Sequence, residues 1–380
     1  MGTPRAKIPV GDHDEGRRLD RLLRQLLPEV PLGRIYALLR KGAVRVGGRK
    51  RAGAYRIRRG DTLEVPAELA PQAPDRPERP PPPRGGAAAL PTDLAERVVF
   101  ENEHLLALDK PVGRSVHGND GLLARLRPYL QAGEAKSLSF RPGPLHRLDT
   151  NTGGIIVFPK TLAGSRRFSE LLRERWLSKG YLALLSGTLE RQETWDDRLV
   201  RDRGRNVTRV ADAADSGSGA RQRAIAHVRP LLRTEDGAAP AATLSLVSIE
   251  TGRTHQIRAQ AAAHGHPLLG DGKYGGAAPE VARDTAAAHD REPAPAAVRQ
   301  WEASRGRSKR SGTYILHAAV LQNNAPDEIF PQRLLCAPPE GEARQRLVHM
   351  FGARAVDTTV DCNRLNENMR HLVYKGEPDK

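Results

Sequence analysis

The stretch that decides the fold is LHRLDTNTGGIIVFPKT, residues 145–161. Its second half holds Gly154 to Phe158 (GIIVF), a short continuous apolar run of the kind found in strands buried on both faces. Its first half is polar and rich in turn formers, so the chain reaches that strand through a loop. This order puts Asp149 at a strand edge facing a cleft, with Arg147 beside it. An isolated Asp in such a place is more often a turn residue making an Asx hydrogen bond, so position alone assigns it no chemistry.

Further along, TGRTHQIRAQAAAHGHPLLGDGKYGG (251–276) brings Arg253 and Arg258 onto a turn and the first turns of a helix. Arginines so placed pair with a carboxylate or a phosphate. Arg97 to Pro111 alternates like a strand, Ser165 to Trp176 has helical spacing, and Tyr181–Leu185 and Thr243–Ile249 read as strands. A helix is expected over Thr254–His264, stopped by Gly265. Many strands with few helices between them predict an α+β domain built on a mixed sheet.

The N-terminal part has a different texture. Leu19, Leu22, Leu23, Leu26 and Leu27 form one helical stripe, and Ile35, Leu38 and Leu39 a second that ends at Gly42. Val44–Val46 and Thr62–Val65 supply short strands. Between Gly16 and Pro66 there are 14 Lys and Arg against 4 Asp and Glu, a surplus of ten out of +16 for the whole chain. That concentration suits a phosphate-rich partner, although a solvated charged face is the plainer reading. Residues 67–92 carry eight prolines and read as a tether. Asp212–Ala220 and 277–312 read as surface loops or disorder, and the chain beyond 350 as a tail.

Several classes are excluded. There is no phosphate loop, dinucleotide fingerprint or His-Glu-x-x-His. His255, His264 and His266 cluster without an acid or cysteine at ligand spacing, so no metal site is expected. Cys336 and Cys362 form no CxxC pair, which fits a reducing compartment. No signal peptide or bilayer-spanning window is legible, so the expectation is a soluble, cytoplasmic protein. The residues alone describe an acidic nucleophile beside arginines in a basic protein, and no more.

These segments resemble the RluA-type pseudouridine synthases. His146-Arg147-Leu148-Asp149 with Thr152-Gly153 matches the family's central motif. Lys179-Gly180-Tyr181-Leu182-Ala183-Leu184 with Gly187 matches its second, and Gly252 to Arg258 (GRTHQIR) its third. LDKPVGRSVHG (108–118), GHPLLGDGKYG (265–275) and LHAAVL (316–321) match as flanks, so the resemblance spans roughly 97–335 in order. The basic module resembles an S4-type RNA-binding domain, and VPLGRIYALLRKGAVRV (30–46) is most like the RluC-like members that act on large-subunit rRNA. Gly154 departs from the family, which usually has Ser there; the departure implies only a changed local hydrogen bond.

The resemblance implies an α+β fold: a mixed, mainly antiparallel catalytic sheet domain over 93–350, after an S4-like α/β module at 15–66. It implies isomerisation of uridine to pseudouridine in RNA, most directly 23S rRNA with tRNA as the alternative, by a monomer needing no metal or organic cofactor. Asp149 is then the nucleophile or base that cleaves the N-glycosidic bond, by attack at C1′ or by removal of a C2′ proton; Tyr181 stacks on the uracil, and Arg258 pairs with Asp149 and keeps it ionised. Arg147 fills the space of the extruded nucleotide. His146, Arg253, His255, Lys110 and Ile257 join Arg147 as expected substrate contacts, Ile257 with helix core as its alternative. Arg34, Arg40, Lys41, Arg45 and Lys50 are the expected RNA contacts of the module. A non-catalytic RNA-binding relative and a glycosidase that cleaves without rejoining are the competing readings.

Overall fold

The computed structural model describes residues 4–11, 14–70, 89–132, 140–202, 204–211, 221–235, 237, 240–276, 314–336 and 338–372. The expected loops at 212–220 and 277–312, residues 71–88 of the proline-rich tether and residues 373–380 lie outside these.

Strand β1 (Arg5–Pro9) opens the N-terminal module, followed by helices α1 (Leu19–Leu26) and α2 (Leu32–Lys41) and strands β2 (Arg45–Val46) and β3 (Thr62–Pro66). The leucine stripe does what its spacing requires. Leu19, Leu22, Leu23 and Leu27 pack with Ile35, Leu39, Val44, Val46, Leu63 and Val65 into one small core. Gly42 ends α2 in the left-handed conformation, φ 68°, where a glycine carries no Cβ penalty. Strand β1 pairs antiparallel with β3 along all five of its residues, so the module reaches back to Arg5.

The rest of the chain builds a ten-stranded sheet. Its strands are β4 (Val98–Glu101), β5 (Leu105–Lys110), β6 (Gly153–Pro159), β7 (Leu177–Ser186), β8 (Glu193–Asp202), β9 (Val207–Val210), β10 (Gln222–Arg233), β11 (Ala242–Ile249), β12 (Leu316–Asn323) and β13 (Arg333–Leu335). They run in the order β4-β5-β6-β12-β7-β11-β10-β8-β9, with β13 also on β12. Neighbours are antiparallel except β6 and β12, which meet in parallel at Gly153–His317 and Gly154–Ala318. The fold is therefore α+β with a mainly antiparallel sheet.

Some expected elements change at their edges for local reasons. The stretch 97–111 is two strands, because Asn102 turns the chain by accepting from the His104 and Leu105 amides at 2.9 and 2.8 Å. The helix expected over 165–176 runs Leu162–Arg173; Thr161 caps it by accepting from the Gly164 amide, and Trp176 falls beyond its end. Gly154 has φ 98°, and a Cβ there would lie 2.3 Å from the Ala318 carbonyl oxygen. At this position β6 and β12 meet in backbone contact, where a side chain has no room.

The expected tail is corrected most. Helices Gly341–Phe351, Ala353–Thr359 and Cys362–Leu372 close the sheet, and Val356, Val360, Leu365, Met369 and Leu372 join Leu182, Leu184, Leu244 and Leu246 in one core. The catalytic domain therefore extends past residue 350 to at least Leu372. Behind the Lys179-Gly180-Tyr181 motif the fit is tight: a Cβ on Gly180 would meet Met369 Sδ at 2.5 Å. Met369→Ala is expected to cost about 2–5 kcal/mol in urea unfolding of the full chain, the range for emptying a buried apolar site. A change below about 0.5 kcal/mol would show that this helix does not support β7.

Candidate active site

The loop carrying Asp149 is held at both ends before any substrate arrives. At its start the Leu145 amide donates to the Val157 carbonyl at 2.8 Å. The His146 ring stacks on Phe168, centroids 5.9 Å apart, and its Nε2 accepts from the Val157 amide. Burial, with the nearby Lys179 charge, pushes the His146 imidazole down to about 3, so it is neutral at physiological pH. Past the carboxylate, the Thr150 carbonyl accepts from the Gly113 amide at 2.9 Å and from Lys110 Nζ at 3.0 Å.

Lys110 was expected to touch substrate, and the structure places it otherwise. Its side chain is fully buried, and the ammonium donates to the carbonyls of Pro111, Arg114 and Thr150. Burial lowers it to about 8 while the Asp149 charge works the other way. Lys110 holds the loop in place. Ile257 takes its core alternative and still lines the cavity.

Arg258 lies in the helix Gln256–Ala263, with its guanidinium between two rings, 4.8 Å from the Tyr274 centroid and 4.7 Å from that of Tyr314. It pairs with Asp149 through Nη1–Oδ2 at 3.4 Å. Its main partner is Asp271, to which Nε and Nη2 donate at 2.6 and 2.9 Å in a two-point clamp. Burial works against the guanidinium charge, but the Asp271 hydrogen bonds, with Tyr314 and Asp149, outweigh it and the pKa rises. Asp271, Tyr274 and Tyr314 escaped the reading of the sequence. The signal for the first two was a Gly-bracketed Asp and Tyr in GHPLLGDGKYG.

His255 precedes that helix in the left-handed conformation, φ 52°. Its Nδ1 lies 2.8 Å from the Tyr274 hydroxyl, which itself accepts from the Thr208 amide at 3.0 Å. His255 Nε2 faces Asp149 Oδ2 at 3.7 Å, and a carboxylate only accepts, which favours the neutral tautomer with its hydrogen on Nε2 and with Nδ1 accepting from the Tyr274 hydroxyl. Burial drives His255 down to about 4 against the pull of Asp149, so the neutral form is the working one. Asp149 Oδ2 thus faces two donors, while Oδ1 has no protein partner among the described residues.

These groups open on a cavity of about 470 Å³ lined by His146, Arg147, Asp149, Tyr181, Arg253, His255, Ile257 and Arg258, the size of a site for one small organic group. Tyr181 is only 6% exposed, and burial together with the Asp149 charge raises its hydroxyl well above the usual phenol value. Arg147 is exposed and donates to Thr254 Oγ1 at 2.8 Å. His264 stacks on Trp195 and pairs with Asp197, and His266 lies 3.2 Å from the Ser186 carbonyl, so the three histidines serve separate places.

On the N-terminal module Arg34, Arg40, Lys41 and Lys50 are exposed with no acidic partner among the described residues. Arg45 is half-buried against the Gly42 and Gly48 carbonyls. Asp109, His317 and Cys336 bring possible metal ligands within 4.8 Å of one another away from this cleft. There Asp109 pairs with Arg97, and burial pushes the Cys336 thiol far up, which keeps it protonated.

A sheet with a carboxylate, an arginine and a tyrosine at one cleft, beside a small basic module, suits chemistry on RNA. Residues 104–263 match the model for RNA pseudouridylate synthases, and residues 17–63 match the S4 domain. The chain is 34% identical over 282 residues to the ribosomal large subunit pseudouridine synthase C of Salmonella typhi, covering 72% of this chain and 81% of that one. It is 33% identical to the Escherichia coli K12 protein of the same name over the same shares, and 32% identical to that of Vibrio vulnificus over 72% and 82%. The chain belongs to the RNA pseudouridylate synthase family and is an RNA pseudouridine synthase.

Tyr274→Phe keeps the ring against Arg258 and removes the proton that His255 Nδ1 accepts. Single-turnover isomerisation is expected to slow roughly three- to tenfold, the worth of about one hydrogen bond, with the melting temperature nearly unchanged. An unaltered rate would mean that the His255 tautomer does not matter to the reaction.

Proposed function

We propose that this chain isomerises uridines of 23S rRNA, with Asp149 as the nucleophile at C1′ or the base at C2′ that breaks the N-glycosidic bond. The observation that carries the reading is the division of labour within one carboxylate. Oδ2 is held by Arg258 and faced by His255, whereas Oδ1 is left without a protein partner beside the cavity. An oriented, anionic oxygen suits a transition state that gathers positive charge at C1′.

A uridine inside a helix cannot reach this oxygen, so it must leave the stack. Arg147, exposed at the rim and bonded among the described residues to the Thr254 hydroxyl, then fills the gap. The N1–C1′ bond then breaks, the uracil turns on the ring of Tyr181, the C5–C1′ bond forms, and the C5 proton leaves as N1 gains one. Tyr181 meets the base with its hydroxyl protonated, as its burial requires. Ribosomal RNA as substrate is supported by the names of the relatives and by the basic module. The cleft is complete within one chain, which supports a monomer, and no described helix is long and apolar enough to cross a membrane. We place the enzyme in the cytoplasm with its rRNA.

Carbodiimide-dependent reverse-transcriptase stops, compared between cells with and without the gene, are expected to disappear from specific 23S positions. Stops lost from tRNA alone would move the substrate. Asp149→Asn restored to such cells should return none of the stops, while purified Asp149→Asn binds rRNA almost as well as wild type. Turnover within about tenfold of wild type would sink the role given to Asp149.

Deleting residues 1–92 should weaken RNA binding and flatten its dependence on log salt by about 0.7–0.9 per phosphate contact removed. An unchanged slope would remove the module, and Arg34, Arg40, Lys41, Arg45 and Lys50 with it, from the RNA interface.

A further inference from the structure

Lys179 stands two residues before Tyr181 on β7, so both side chains point into the same cleft. It is half-buried, yet its ammonium makes no hydrogen bond or ion pair among the described residues. A partly desolvated cation with no anion beside it is commonly completed by a ligand. Burial lowers Lys179 to about 8.

The charged groups around it are already committed. From the loop before β6, His146 is neutral, and Asp149 faces Arg258 and His255. At the end of β11, Glu250 pairs with His227 at 2.9 Å and Arg175 at 3.9 Å. Among the described residues, the side chains of Arg147 and Arg253 make hydrogen bonds only to neutral acceptors, Thr254 Oγ1 and the Arg223 carbonyl. From the turn above, Gly252 lies over the amine: a Cβ there would sit 3.7 Å from Nζ, and the glycine leaves that approach open. Among the described residues, this end of the cleft therefore carries three cations that no anion pairs.

We propose that Lys179, with Arg147 and Arg253 at the rim, forms an anion subsite that takes a phosphodiester adjoining the flipped uridine. The proposal rests on the reading of the chain as acting on a flipped uridine. The base and ribose that enter the cavity are neutral, so the flanking phosphate is the anion the substrate brings. A lysine meets it as a point charge with three donors. The sign of the pH dependence follows. Below about 8 the free ammonium is charged and ready. Above it the amine must take up a proton to bind, so affinity falls as pH rises, toward about tenfold per unit.

The test uses the full chain and a synthetic stem-loop around the uridine mapped in the cells. The RNA is made with ordinary linkages or with one neutral methylphosphonate 5′ or 3′ to that uridine. For wild type, one of the two neutral linkages should lower kcat/KM about tenfold or more, the worth of a charged hydrogen bond. Lys179→Gln should lose a similar factor on ordinary RNA and lose little further on the neutral linkage. Lys179→Arg, which stays charged, should keep most of the activity and lose the decline through about pH 8. Equal methylphosphonate penalties in wild type and Lys179→Gln would overturn the subsite. So would a Lys179→Arg enzyme as impaired as Lys179→Gln with the wild-type pH profile. Failure of wild type to isomerise the stem-loop would instead overturn the reading of function, and the subsite with it.

Discussion

Arg258 is a buried cation shared by two carboxylates, and the site is organised around it. Leaving such a guanidinium unpaired would cost several kcal/mol, so its surroundings must supply fixed negative charge. Asp271 supplies most of it through two hydrogen bonds, and its side chain is only 1% exposed. The rings of Tyr274 and Tyr314 hold the guanidinium plane between them. What remains is one N–H, Nη1, aimed at Asp149, whose side chain is 16% exposed. The stronger pair is structural and fixes the geometry of the weaker one, and the weaker pair faces the cavity.

The same economy runs outward. Tyr274 packs on Arg258 with its ring and donates to His255 Nδ1 with its hydroxyl. Lys110 holds the loop behind Asp149 through the Thr150 carbonyl. Strand β7 presents Lys179 and Tyr181 to the cleft, while Gly180 between them is small because Met369 lies against it from behind. A helix near the C-terminus thereby supports the floor of the site.

Much of this was legible. The apolar run after Asp149 is β6, buried along its length, and Arg258 does reach the Asp149 carboxylate as its motif implied. The remainder was hidden for physical reasons. Asp271 sits in a glycine-bracketed turn thirteen residues past Arg258, and no periodicity relates a helix to the turn that follows it. Strand β8 reads ETWDDRLVRD, where only Trp195 and Leu199 are buried and the residue between them on that face is Asp197, too sparse an apolar alternation to mark a strand. The C-terminal helices looked like a tail because their buried residues are scattered among Asn, Asp, Glu and Arg. Lys110 could not be told from a substrate contact, because its partners are backbone carbonyls that sequence does not position.

The claim that Asp271 orients Arg258 for Asp149 is tested most directly by the single-turnover rate of Asp271→Asn at saturating enzyme, on folded protein with RNA affinity measured alongside. The amide keeps the shape and removes the charge that holds the guanidinium. The account expects the chemical step to slow by about a hundredfold or more, the scale of a lost partner to a buried charge, with affinity for RNA close to wild type. A wild-type rate in a variant that is merely less stable would contradict it. Asp271 would then serve the fold alone, and Arg258 would find Asp149 without its help.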